Sequence, residues 1–236
     1  MDVKFLGIGS AFNPRMDNTN GFFMWEDQFY LIDCGETAFG KLWNHPDFKS
    51  MSRITVVITH LHGDHAGSLA SLISYSYYVL GKTIRVLHPL ETVVRLLDLM
   101  GIDRFCYEYV PQLSGEAVSF EAVEVEHVGN MSCFGYVISG PEGRIYYSGD
   151  AKYVPETVIR AFLGGEIQRI YQDAALNPGD HSTHGSLAYL EKTFPPETYS
   201  RICCIHLDTD YRQTLREKGF ALPSLYVPAM ASAAAS

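Results

Sequence analysis

The chain has 236 residues, 47% of them hydrophobic, and 18 Lys and Arg against 27 Asp and Glu leave a formal net charge of −9. That apolar content is too high for a disordered chain, no run of about 18 uncharged apolar residues marks a membrane span, and the length suits one domain, expected over residues 1–228. Holding nucleic acid by its phosphates takes clustered Lys and Arg, and this acidic chain has no such cluster, so no stable nucleic-acid partner is expected.

The first elements read as strands. Residues 3–8 are an apolar run closed by Gly7 and Gly9, residues 21–25 and 28–32 flank the polar turn Glu26-Asp27, and residues 54–59 form a β-branched run holding Val56, Val57 and Ile58. Helical spacing follows over 66–80 through Leu69, Leu72, Ile73 and Tyr77, then a strand at 83–87 and a helix at 91–100. Tyr75, Tyr77 and Tyr78 are read as core or subunit packing in preference to a substrate cleft. In the second half, residues 118–128, 134–138 and 144–147 read as strands and 155–162 as a helix with proline in its first turn. Strands at 167–172 and 202–205 bracket a helix from about 186 to 193. Two series of strands, each followed by helices, predict two packed sheets with helices on the outer faces.

The low-complexity residues 229–236 are expected to be a disordered tail. Cys34, Cys106, Cys133, Cys203 and Cys204 form no C-x-x-C pair and are expected to pack, reduced, as small apolar residues. The start, Met1-Asp2-Val3-Lys4, has neither the basic cap nor the long apolar stretch of a signal peptide, so the expected location is the cytoplasm.

The informative stretch is Thr59-His60-Leu61-His62-Gly63-Asp64-His65, directly after a buried strand. Three histidines and an aspartate there are expected on the loop at the strand's end, where side chains can converge on one point. Imidazole suits zinc and other borderline metals, and a carboxylate completes a charged site. A single histidine on an apolar strand would be read as a satisfied core residue, but four ligand-type residues in H-x-H-x-D-H order are not explained by packing.

The segment from His60 to His65 resembles the signature of the metallo-β-lactamase superfamily, in the form carried by the ribonuclease Z branch and its small phosphodiesterase relatives. The resemblance covers most of the chain. Gly7-Ile8-Gly9-Ser10-Ala11 and Asp33-Cys34-Gly35-Glu36 resemble that branch's first strand and D-C-G-E turn; His127, Asp150 and His206 follow in the order of its remaining ligands. The resemblance implies an α+β fold, a four-layer αββα sandwich. It also implies that His60, His62 and His127 hold one divalent ion, that Asp64, His65 and His206 hold a second, and that Asp150 bridges them. Zn2+ is favoured, with Mn2+ and Fe2+ as alternatives. Two such ions, roughly 3.5–4 Å apart, acidify water and stabilise phosphate oxygens. Asp33 is implied to support the ligands by hydrogen bonding.

A second cluster, Asp180-His181-Ser182-Thr183-His184-Gly185-Ser186, bears on the reaction. His181-Ser182-Thr183 has the letters of the ribonuclease Z H-S-T motif, whereas His184-Gly185-Ser186-Leu187 resembles the small phosphodiesterases and sits better against the following helix. His184 is favoured over His181 as the proton donor to the departing oxygen, with Ser186 beside it at the helix start; a capping role for either histidine is the alternative. Asp173 stands where the branch has a glutamate and is the candidate partner of His184.

The metals alone would also suit lactam, thioester or sulfonate chemistry. Asp64, the D-C-G-E turn and the histidine before the last strand together resemble phosphodiesterases. The interval from His127 to His184 has no room for the basic arm with which ribonuclease Z grips tRNA. The chain looks most like the phage anti-Pycsar cyclic-nucleotide phosphodiesterases, which open 3′,5′-cyclic mononucleotides and so disarm a bacterial defence signal. A phage-encoded enzyme of that kind would act in the host cytoplasm, and the resemblance implies a homodimer. A tRNA 3′-processing endonuclease and a non-catalytic nucleotide-sequestering protein are the alternatives. Phe12, Tyr107 and the loop around Pro178 are candidates for stacking on a base, though ordinary packing is the preferred reading of each.

Overall fold

The computed structural model describes residues 1–179 and 182–227, so His181 and the tail 229–236 lie outside the described residues. Among the described residues, twelve strands form two mixed sheets. The first sheet contains β1 (Lys4–Gly7), β2 (Asn20–Trp25), β3 (Gln28–Ile32), β4 (Arg53–Val57), β5 (Ile84–Leu87), β6 (Tyr107–Val110) and β12 (Ser224–Leu225), in the order β12-β1-β2-β3-β4-β5-β6. The second contains β7 (Ser119–Val125), β8 (Cys133–Gly140), β9 (Gly143–Tyr147), β10 (Arg169–Asp173) and β11 (Ile202–Ile205), in the order β11-β10-β9-β8-β7.

The side-chain period of two sends alternate buried residues of the first sheet to opposite faces. In β3, Tyr30 and Ile32 face the core between the sheets, while Phe29 and Leu31 face a second core beneath the outer helices. Phe5 of β1 meets Tyr147 and Tyr171 of the opposite sheet at ring-centroid distances of 6.4 and 5.6 Å, and Phe120 of β7 approaches Tyr30 at 5.5 Å. Burying each such ring contributes about 1.5–3 kcal/mol or more, so these aromatic bridges hold the sheets together.

Helices α1 (Ala38–Leu42), α2 (Pro46–Ser50), α4 (Leu69–Tyr78) and α5 (Thr92–Leu99) bury Leu42, Phe48, Ile73 and Val93 against the outer face of the first sheet. Helices α6 (Glu156–Leu163), α7 (Leu187–Thr193) and α8 (Arg212–Lys218) bury Phe162, Leu190 and Leu215 with the second. This is the expected αββα sandwich.

Two expectations need correction. The helix read over 66–80 is broken: α3 (Gly63–Ala66) ends before Gly67-Ser68, where the Ser68 hydroxyl turns back to donate to the Gly35 carbonyl at 2.5 Å, and α4 starts afresh at Leu69. Asp64 and His65 therefore sit on a single helical turn and not on a loop. The short elements α1, α2, β6, α8 and β12 carried too little periodicity to be read. All five cysteines are buried and free, as expected, and among the described residues no helix is long and apolar enough to cross a membrane.

Candidate metal centre

The candidate ligands follow strand ends, Asp64 and His65 on the turn of α3 that succeeds β4, and within each sheet the strands concerned run the same way. β3 and β4 are parallel, with Ile32 opposite Val57, so Asp33 and the segment from Thr59 to His65 emerge side by side. β9, β10 and β11 are parallel too, with Tyr147 opposite Tyr171 and Asp173 opposite Ile205, which brings Asp150, Asp173 and His206 to the same edge. His127 follows β7, which is related to β9 through two antiparallel pairings and so runs with it. Gly149 adopts φ +59°, and a Cβ there would come within 2.7 Å of Thr59 Cβ; only glycine lets the Ser148-Gly149-Asp150 turn close on the first sheet.

Three groups of ligand-type atoms converge among the described residues: two hold the expected ligands, and the third joins Asp150, Asp173, His184 and His206. His60 Nε2 and His62 Nδ1 are 2.9 Å apart, His127 Nε2 and His62 Nδ1 3.3 Å, and Asp150 Oδ2 lies 3.8 and 3.6 Å from the His60 and His127 nitrogens. In the second group Asp64 Oδ2 is 3.2 Å from both His65 Nε2 and His206 Nε2, and Asp150 Oδ1 is 3.1 and 3.4 Å from the same nitrogens. The two oxygens of Asp150 thus face different groups. Ligand atoms at roughly 2.0–2.2 Å from a tetrahedral ion would be about 3.4 Å apart, which these spacings approach. His65 Nε2 and Asp150 Oδ1 are buried without a hydrogen-bond partner among the described residues, as expected of atoms reserved for a cation. The donor set fits two divalent ions.

A second layer of contacts orients the rings. Asp33 Oδ2 lies 2.8 Å from His65 Nδ1, and its carboxylate accepts from the Thr59 amide and hydroxyl. The Thr183 carbonyl lies 3.1 Å from His127 Nδ1, and Thr59 Oγ1 3.1 Å from His60 Nδ1. Each contact engages Nδ1 and leaves Nε2 for the ion. Asp33 and His206 both adopt positive φ, +63° and +57°, a conformation worth about 1–3 kcal/mol of strain that the surrounding hydrogen bonds sustain.

The site divides electrostatically. Burial, with the nearby His65, holds His60 well below the usual imidazole range, and burial lowers His127. Both are thereby kept neutral, the form that binds metal. Burial would lower His65 and His206 as well, but Asp150 and Asp33 raise the first well above its ordinary value, and Asp150, Asp173 and Asp64 push the second up to about 10. Burial opposes ionisation of Asp150, yet His206 and His65 hold its carboxyl well below the carboxylate range.

His184 stands beside this centre, its side chain 32% exposed, with Nδ1 2.9 Å from Asp173 Oδ2. Burial lowers its pKa, but the hydrogen bond and charge of Asp173 outweigh that and raise it. The shorter aspartate reaches because Gly185 follows: a Cβ there would lie 2.2 Å from the Asp173 carbonyl oxygen, so only glycine lets the chain pass this close. Asp173 Oδ1 also lies 3.5 Å from His206 Nδ1, joining the proton-donor candidate to a metal-ligand candidate. Ser186 does not reach the centre; it caps α7, its hydroxyl accepting from the Tyr189 amide.

Leading to the centre is a cleft of about 380 Å³, lined among others by Phe12, Glu36, His62, Asp64, His127 and His184, with no Lys or Arg among the described residues that line it. Phe12 is 97% exposed, which overturns the packing reading, whereas Tyr107 is 5% exposed and belongs to the core. Tyr75, Tyr77 and Tyr78 lie away from the cleft: the Tyr75 hydroxyl donates to the Trp43 carbonyl and Tyr77 packs on Phe105. The contacts of Thr59 and of the Thr183 carbonyl are not announced by the sequence; the threonine directly before the first ligand is the available signal for Thr59.

Fold and site together define a metallo-β-lactamase-fold protein with a candidate two-ion centre. Among solved structures it superposes on the metallo-β-lactamase fold protein YhfI from Bacillus subtilis with a TM-score of 0.73 at 14% identity, covering 95% of each chain. It superposes on human short-form tRNase Z with a TM-score of 0.70 at 19% identity, covering 96% of this chain and 98% of that one. The family model described as Anti-Pycsar protein Apyc1 matches residues 1–222, and the chain belongs to that family. The anti-Pycsar protein Apyc1 of Paenibacillus sp. (strain J14) is 27% identical over 226 residues, covering 88% of this chain and 89% of its own.

Proposed function

We propose that the protein is a dinuclear metal-dependent phosphodiesterase that hydrolyses 3′,5′-cyclic mononucleotides, acting against cyclic-nucleotide defence signalling. The observation that carries this reading is the Asp150 carboxylate with one oxygen turned to each ligand group, in a cleft that His184 also lines. With no Lys or Arg in that lining, the charge of a substrate phosphate falls to the metals, and one phosphate is what two ions can neutralise. A polynucleotide would bring more negative charge to a chain of net charge −9.

His60, His62 and His127 would hold one ion, Asp64, His65 and His206 the other, and Asp150 both; Zn2+ is favoured over Mn2+ or Fe2+. Bound there, the ions supply Lewis acidity toward the phosphoryl oxygens and a water of lowered pKa. Asp173 holds His184 by Nδ1, which leaves Nε2 as the atom that gives its proton to the departing ribose oxygen. Water adds at phosphorus, one P–O bond of the ring breaks, and the product is a nucleoside monophosphate. The reading includes a homodimer acting in the cytoplasm; exposed Tyr78, Leu99 and Phe105 supply apolar surface compatible with a subunit contact.

The test is to incubate the metal-loaded protein with a panel of cyclic nucleotides and a 3′-extended tRNA precursor, then separate the products by chromatography. A nucleoside monophosphate is expected. Intact cyclic nucleotide retained on the protein would instead assign sequestration, and trimmed precursor would assign the nuclease.

A further inference from the structure

We propose that Phe12 is the stacking face for the nucleobase, the residue by which this cleft distinguishes a nucleotide from a bare phosphodiester; the inference rests on the phosphodiesterase reading above. A phenylalanine 97% exposed contributes almost nothing to a core, yet this one borders the cleft that holds His62, Asp64, Asp150 and His184.

Its loop is firmly built. The Ser10 amide donates to the Leu207 carbonyl at 3.1 Å, Asn13 Nδ2 donates to the same oxygen at 3.2 Å, and the Asn13 amide closes a turn onto the Ser10 carbonyl at 3.0 Å. Below the turn, the Ile8 amide donates to Met16 and the Gly9 amide to Asp17. Leu207 directly follows His206, and its own amide donates to Ile8 at 2.7 Å. The aromatic ring is thus carried on a turn tied to a residue adjoining a metal-ligand candidate, which fixes the loop's backbone relative to the reacting phosphate.

The cleft volume of about 380 Å³ falls at the small-ligand end of the roughly 300–1,000 Å³ typical of binding sites. An aromatic face beside an anion site suits a ligand with a flat ring attached to a phosphate. Stacking is tolerant of base identity because every base presents a π-face, so the effect of Phe12 should be of similar size for purine and pyrimidine substrates.

The experiment compares wild type, Phe12→Ala and Phe12→Trp on a purine cyclic nucleotide, a pyrimidine one, and ribose 3′,5′-cyclic phosphate without a base. Phe12→Ala should raise KM for both nucleotides about ten-fold or more, a stacking-sized loss. Its kcat should stay within about three-fold, Phe12→Trp should restore KM, and kcat/KM for the baseless phosphate should not change. Calorimetric binding of the nucleoside monophosphates to the same three proteins gives a readout that needs no turnover. A wild type that binds nucleotide more tightly than Phe12→Ala without hydrolysing it would sink the enzyme reading and leave the stacking assignment standing. Equal KM and equal binding in wild type and Phe12→Ala, an equal loss on the baseless phosphate, or no nucleotide binding by wild type overturns the assignment. So does a Phe12→Ala protein whose oligomeric state changes in light scattering, which would make the ring a subunit contact.

Discussion

Asp173 Oδ2 lies 2.9 Å from His184 Nδ1, while the other oxygen of the same carboxylate lies 3.5 Å from His206 Nδ1, so one buried group touches both the proton-donor candidate and a metal-ligand candidate. His184→Ala should therefore retain its metal and lose about 10²–10⁴ in kcat, the usual scale of general acid catalysis. A diester with a 4-nitrophenolate leaving group, which departs without a proton, should be turned over by the variant at close to the wild-type rate. His181→Ala, assayed beside it, should be unaffected; the opposite pattern would move the proton to His181.

Asp173→Asn keeps the size of the side chain and removes its charge. Loss of an orienting partner of this kind costs about 10–100-fold in activity or metal affinity. Because the group touches both His184 and His206, kcat should fall and the metal should be lost more readily to a chelator. A fall in kcat with unchanged chelator sensitivity would confine its role to His184.

Removing the carboxylate shared by the two groups should differ in kind from removing a ligand of one. Asp150→Ala should deplete both ions, whereas His62→Ala should leave about one ion per chain on Asp64, His65 and His206. Elemental analysis after dialysis reads the difference, and matching stoichiometries in the two variants would argue against a bridge.

Metal uptake should release protons, and the sign follows from the charges. Without metal, His65 and His206 are held protonated at neutral pH by the surrounding carboxylates, whereas His60 and His127 are held neutral by burial. Ions arriving on the Asp64 side would displace protons from the first pair, and those arriving on the other side would meet His60 and His127 already free of them. Affinity should consequently fall as the pH drops, and most steeply for the Asp64 side. Titration calorimetry in buffers of different ionisation enthalpy measures the count, and zero net release would contradict the assignment.

Gly185→Ala places a methyl group 2.2 Å from the Asp173 carbonyl and 3.0 Å from that of Ala151, an overlap relieved only by moving backbone. A cost of about 1–3 kcal/mol, seen as a lowered Tm, is expected together with reduced turnover, because the shift carries His184 away from Asp173. Unchanged Tm and kcat would show that the turn tolerates the displacement.

His60, His62, Asp64 and His65 were legible because their spacing is local and chemically specific, no packing pattern calling for H-x-H-x-D-H, whereas His127, Asp150 and His206 rested on the resemblance to a family whose remaining ligands follow in that order. Asp173 was legible as a partner for His184 but not as one for His206, since that contact depends on the register of β10 against β11. Phe12 was misread for a similar reason. A lone aromatic among small and polar residues reads as packing, and only the hydrogen-bonded loop shows it standing in solvent. The contact between the Thr183 carbonyl and His127 uses a backbone atom that no residue type announces. The break between α3 and α4 was hidden because the tertiary pull on the Ser68 hydroxyl overrides a helical pattern that continues through it.

Of the candidate ligands, His60, His62, Asp64 and His65 arrive with the first sheet and His127, Asp150 and His206 with the second, and Asp64 meets His206 across 142 positions of sequence. Such a site cannot preassemble on a growing chain, because closing so long a span comes only with docking of the two halves. Loading would therefore be a late step, and ions held there would lace the sandwich along the edge that carries the candidate ligands, in the manner of a cross-link. Stripping them should loosen the seam between the sheets as well as silence the site, so that the holo protein resists unfolding and proteolysis at temperatures where the apo form has begun to part.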